Sequence, residues 1–150
     1  MKALTICVPY PSFILDAELP QGIERKKTEN RSWEMLYRGP LLIHAGLSKK
    51  WMATVRFEQR PKNPVYGAII GVVDVIDCVH ILELTGPRET WSHKVRNKYP
   101  WLPTHQHASG PYCIILENPR KFISPIPYKG AQGLFNVPDS VVAEQMRKVA

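Results

Sequence analysis

A chain of 150 residues and 17.1 kDa, with 44% hydrophobic and 22% charged side chains, has the size of one ordinary domain and an apolar fraction that excludes general disorder. A domain of this length buries roughly two-thirds of its unfolded surface, so folding calls for neither a disulfide nor a metal. Lys and Arg number 20 against 13 Asp and Glu, giving +7 and a pI near 9.5, which favours a polyanionic partner, RNA or DNA ahead of a membrane surface.

Leu4, Ile6 and Val8 alternate with Ala3, Thr5 and Cys7 as a short strand stopped by Pro9 and Pro11. Pro11 opens a helix over Ser12–Leu19, ended by Pro20 and Gly22. Gln21–Arg31 is a charged connection without a period. Leu41–Ala45 is an apolar strand after the Gly39-Pro40 turn, and Ser48–Glu58 reads as a helix with Trp51 and Val55 facing inward. Gly67–Val79, rich in Val and Ile, is the best strand, with Gly67 and Gly71 marking a bend, a bulge or a close backbone approach. Residues 85–110 read as a long, partly ordered loop, Tyr112–Glu117 as a strand and Asn118–Pro138 as a second long loop. Asp139 caps a last helix, Ser140–Lys148. Helices at the two ends and short strands separated by long loops give an α+β class with a small closed or half-closed barrel.

No apolar run approaches the roughly 18 residues of a membrane span; that around Ala68–Ile76 is broken by Gly71 and Asp74. Asp16 and Glu18 occupy the place of a signal-peptide cleavage site. Cys7, Cys78 and Cys113 sit among apolar residues as reduced thiols do. A cytoplasmic, single-domain protein is expected.

Three groups of residues carry the candidate chemistry. In an extended segment Glu29, Arg31 and Trp33 project to one side, a carboxylate, a guanidinium and an indole suited to a flat polar ring, with Lys26 just upstream. The bland alternative is a solvated loop anchored by Trp33. Next, His93, His105 and His107 with Cys78 and His80 lack zinc-ligand spacing, and no metal is expected there; His44 ends a strand, as a satisfied structural histidine or a ligand contact. The third set is Lys94, Arg96, Lys98, Arg120, Lys121 and Lys129 among Trp91, Tyr99, Trp101 and Tyr128, a nucleic-acid surface or a solvated basic face with the rings folded inward.

The segment Lys26-x-x-Glu29-x-Arg31-x-Trp33, followed by Tyr37-Arg38-Gly39-Pro40-Leu41-Leu42-Ile43-His44-Ala45, resembles the ASCH domain of the PUA-like superfamily, whose signature is G-x-K-x-x-E-x-R. So do Ala3-Leu4-Thr5-Ile6, Gly67-Ala68-Ile69-Ile70-Gly71, Gly110-Pro111-Tyr112 with Leu116-Glu117-Asn118-Pro119, Pro127-Tyr128-Lys129-Gly130 and Gln132-Gly133-Leu134-Phe135-Asn136-Val137-Pro138. Glu24 stands where the signature has its glycine.

The resemblance implies a PUA-like barrel of five or six strands and a cleft for RNA or a nucleotide. Arg31, Trp33, His44, Tyr112, Glu117 and Asn118 would line it. Some relatives remove the acetyl group of N4-acetylcytidine with a Lys, a Thr and a Glu, and a ribonuclease activity is attached to others. Lys26 matches their lysine, their threonine falls at Glu29, and Asp74 stands for their acid. Between two carboxylates Lys26 would keep its proton and be a poor base, stabilising an oxyanion while Glu29 or Asp74 activates water. The expected function is binding of RNA or a modified nucleoside without a cofactor, ahead of hydrolysis and of a protein-interaction adaptor built on the 85–110 loop.

Overall fold

A computed structural model describes residues 1–83 and 93–150; at Glu83, His93, Lys94 and Arg96 the description is of the backbone. The elements are β1 (Lys2–Ile6), α1 (Tyr10–Leu15), β2 (Thr28–Arg31), β3 (Gly39–Ala45), β4 (Ala68–His80), α2 (His93–Lys98), β5 (Tyr112–Pro127), β6 (Leu134–Asn136) and α3 (Asp139–Lys148), with short 3-10 turns between them. The strands form a mixed six-stranded sheet in the order β2-β5-β4-β3-β1-β6, in keeping with the expected α+β class and with the five or six strands the resemblance implies.

The chain divides into two compact units. The first comprises Met1–Arg25, Pro40–Asp74 and Asn118–Ala150, the second Lys26–Gly39 and Val75–Glu117, so β4 and β5 each supply residues to both. In the first unit β1 runs parallel to β3, Lys2 opposite Leu41 through Ile6 opposite Ala45, and antiparallel to β6, Ala3 opposite Phe135. Ala3, Leu42, Ile69, Val72, Phe122, Val137 and Val142 form its core. The core of the second unit is Val79, Val95, Tyr99, Leu102, Cys113 and Ile115.

Several elements differ from the sequence reading. α1 stops at Leu15, four residues before Leu19: Asp16 turns extended, and the Arg25 guanidinium donates to the Ile14 carbonyl at 2.9 Å, satisfying a helix-end acceptor. The helix expected over Ser48–Glu58 is two separate 3-10 turns, Met52–Thr54 and Phe57–Gln59, with Val55 extended between them and no buried residue in either. A short helix needs an apolar face docked on a core, and Trp51, expected inward, is exposed. Met1's ammonium, 2.8 Å from the Asp139 carboxylate, engages a residue in the first turn of α3, and Pro138 holds the cap position expected for Asp139.

The largest correction concerns Asn118–Pro138. β5 runs on to Pro127 through Pro119 and Pro125, and Leu134–Asn136 forms β6. β2 pairs with β5 only at Tyr112 to Ile115. Beyond that stretch β5 is an edge strand of the first unit, where a proline's missing N–H costs no ladder hydrogen bond. Mostly exposed residues with Phe122 buried among them leave no hydrophobic alternation to read. Within 85–110, α2 and a turn at Leu102–Thr104 are formed; residues 84–92, including Trp91, lie outside the described residues.

Gly71, expected to mark a close approach, does. A Cβ there would stand 2.7 Å from the Arg120 carbonyl oxygen and 2.8 Å from Leu15 Cδ1. The backbone oxygen cannot yield without opening the β4–β5 pair, so Gly71→Ala is expected to cost about 2–3 kcal/mol, as overpacking does. Urea unfolding of the variant checks this; a midpoint equal to wild type contradicts it.

Candidate functional site

Glu29 and Arg31 alternate with Thr28 and Asn30 along β2, opposite Ile114 and Tyr112, while Thr28 and Asn30 face Ile115 and Cys113. The two-residue period places Glu29 and Arg31 on one side, as the sequence spacing predicts, and Arg31 Nε lies 3.9 Å from Glu29 Oε1. Lys26 reaches back from the preceding loop, its Nζ 3.9 Å from Glu29 Oε2. At these separations the pairs are electrostatic contacts and not hydrogen bonds. Glu29 Oε1 accepts the Asn30 N–H at 3.1 Å, whereas Glu29 Oε2 is buried with no hydrogen-bond donor among the described residues.

Lys26 is only 4% exposed. Burial pushes its ammonium below the ordinary lysine range; the Glu29 carboxylate opposes that, and Arg31 adds to it. Desolvation therefore works against the proton on Lys26, while the one carboxylate beside it works to keep it.

Asn30, which the sequence reading passed over, ties the 105–110 segment to β2. Its Nδ2 donates to the His107 carbonyl at 2.8 Å, and its Oδ1 accepts the Ser109 and Gly110 N–H groups, each at 2.8 Å. Next to it the Lys27 N–H donates to His105 Nε2 at 3.1 Å, and the Lys27 ammonium stands 5.2 Å from the Trp101 ring centre. The His105 ring meets Trp101 edge-on at 5.0 Å and His107 at 5.4 Å. Among the described residues no group of His, Cys, Asp and Glu is arranged to hold a metal ion.

Tyr112 is half-buried, its ring packed edge-on against His80 at 4.7 Å. Trp33 is half-buried in the bend after β2, and Glu117 is exposed. Lys98 is drawn to Asp77, 3.7 Å away, whose other contacts are the Tyr99 hydroxyl at 2.9 Å and Arg38 at 3.5 Å. Burial raises the Asp77 carboxyl, but the Tyr99 hydroxyl, the Cys78 N–H, Lys98 and Arg38 together hold it below the usual range. Lys94 and Arg96 lie on α2, their side chains outside the description.

The remaining candidates belong to the first unit. Asp74 accepts Arg120 at 2.5 Å and Asn118 Nδ2 at 3.1 Å, and Arg120 Nε donates to the Asn118 carbonyl at 3.1 Å. Three residues singled out for separate roles thus form one network across β4 and β5. Asn118, at φ 50°, takes the left-handed conformation asparagine tolerates. Lys121 pairs with Asp16 at 2.6 Å, and Lys129 is exposed. His44 is 2% exposed; its Nε2 donates to the Tyr128 carbonyl at 2.7 Å, so Nδ1 accepts from the Thr5 hydroxyl at 3.1 Å. Both ring nitrogens are thereby engaged within the protein.

Fold and site together define a small α+β domain in which a buried lysine, a glutamate and an arginine meet at one strand. Over 157 aligned residues the chain is 25% identical to activating signal cointegrator 1 from Homo sapiens, an alignment taking in 97% of the chain. The chain spans 23% of that protein's length. No family model matches the chain. No helix among the described residues is long and apolar enough to cross a membrane.

Proposed function

We propose that the chain is a single ASCH-like domain that binds RNA or a modified nucleoside through Lys26, Glu29 and Arg31. The observation that carries this is Glu29 Oε2, a buried acceptor without a donor, on a carboxylate that has Lys26 beside Oε2 and Arg31 beside Oε1. Leaving such an atom unmet costs roughly 1–3 kcal/mol or more, and the exocyclic amino group of a base is the donor that meets it. Lys26 and Arg31 then face carbonyl or phosphate oxygens, with Trp33 or Tyr112 against the ring. The similarity to activating signal cointegrator 1 along nearly the whole chain supports the ASCH-like reading.

One observation favours a second reading, hydrolysis of an N4-acylated cytidine. Burial favours the neutral amine of Lys26, and in that form the amine takes a proton from water as the water attacks the acyl carbonyl. The C–N bond then breaks, the proton passes to N4, and a carboxylic acid and cytidine leave. Arg31 stands by for the oxyanion.

Titration with cytidine and N4-acetylcytidine, followed by chromatography of the mixtures, tests both readings. Saturable binding that is lost in Lys26→Ala, without product, is the expected result. Cytidine formed by wild type and not by Lys26→Ala moves the conclusion to the hydrolase, and binding unaffected by Lys26→Ala overturns the site.

A further inference from the structure

Between β3 and β4, in the first unit, residues 46–67 carry Lys49, Lys50, Arg56, Arg60 and Lys62 against a single acid, Glu58. The same stretch leaves Phe57 83% and Trp51 41% exposed. Each of its three aromatic rings has a cation over it: Lys49 lies 5.6 Å from the Tyr66 ring centre, Lys50 5.8 Å from Trp51, and Arg60 5.9 Å from Phe57. Trp51 and Phe57 are rings held in solvent beside cations, outside the core, and neither 3-10 turn buries a residue.

The local backbone is nevertheless held in shape. Thr54 Oγ1 donates to the Trp51 carbonyl at 2.7 Å, Arg60 Nε to the Val55 carbonyl at 2.9 Å, and Ser48 Oγ accepts the Lys50 N–H at 3.3 Å. Arg60 is thus fixed by its own hydrogen bond while its guanidinium lies against Phe57. The rings are presented by hydrogen-bonded turns, so little ordering remains to be done on binding.

We infer that residues 46–67 form a second contact surface, for single-stranded nucleic acid, independent of the Lys26, Glu29 and Arg31 site. Exposed rings paired with cations match the repeating chemistry of such a strand: a base lies on the ring while its phosphate meets the neighbouring ammonium or guanidinium. An acidic peptide would use the cations but leave Trp51 and Phe57 without a partner, and the strand accounts for both. The surface reads no base edges, so binding is expected to tolerate any sequence and to weaken steeply with salt.

The test uses the full chain and a fluorescein-labelled uridine 12-mer, followed by anisotropy at about 50 and about 200 mM salt. Stacking contributes roughly 1–3 kcal/mol per base, so Trp51→Ala/Phe57→Ala is expected to weaken binding at least about tenfold, with an unchanged melting temperature and unchanged nucleoside binding. Lys49→Gln/Lys50→Gln is expected to reduce the slope of log affinity against log salt by about 1.4, two phosphates' worth. Equal affinity in the ring variant, or displacement of the oligonucleotide by an acidic peptide with equal loss from the ring variant, overturns the inference. Nucleoside binding reports separately on the other site, so either proposal can fail alone.

Discussion

Glu29→Gln is expected to lower nucleoside affinity about tenfold to a hundredfold, the loss of one charge-assisted hydrogen bond from a buried acceptor. The amide keeps the volume of the carboxylate but brings an NH₂ to a place between two cations, and only one oxygen to receive a base amino group. Calorimetric titration of wild type and variant measures this; equal affinity removes Glu29 from the site.

The same substitution carries a pH signature. Lys26 is already below its ordinary range, and Glu29 is the group that opposes the shift. Removing that carboxylate lets burial and Arg31 push the ammonium lower still. A lysine depressed in the folded state binds fewer protons than in the unfolded chain, so folding stability rises with pH between its folded pKa and the unfolded value near 10.4 and is lost as pH falls through that window. In Glu29→Gln the window reaches to lower pH. The variant is therefore expected to lose more stability than wild type on going from pH 9 to pH 6, by urea midpoints at each pH. Parallel curves would show that Glu29 does not act on Lys26.

Asn30→Ala is expected to cost about 3 kcal/mol. Asn30 makes one hydrogen bond to the His107 carbonyl and accepts two from Ser109 and Gly110. Each is worth roughly 1 kcal/mol net, and alanine leaves the part-buried Gly110 donor without its acceptor. Asn30→Asp keeps the acceptor but sets a carboxylate oxygen against the His107 carbonyl, and is expected to fall between wild type and alanine. Urea unfolding gives the magnitude. Hydrogen exchange at the Ser109 and Gly110 amides gives the location, with protection at these two falling first. A change under 0.5 kcal/mol would mean that other contacts hold the 105–110 segment.

The alternation at the start of the chain, the Val- and Ile-rich run and the final amphipathic stretch mark β1, β4 and α3, because local period and burial agree there. The spacing of Glu29 and Arg31 likewise puts them on one side of a strand, since period-two geometry is a property of the backbone. These features were determined by the sequence alone. Burial of Lys26, by contrast, depends on chain segments far away in sequence, and with it the direction in which its proton is pushed. Asn30 meets partners 77 to 80 residues away, and β5 continues through prolines because its partner β2 pairs with only its first residues. No window of neighbouring residues contains such information. Desolvation, edge position and long-range hydrogen bonds belong to the folded arrangement, and only the tertiary structure decided them.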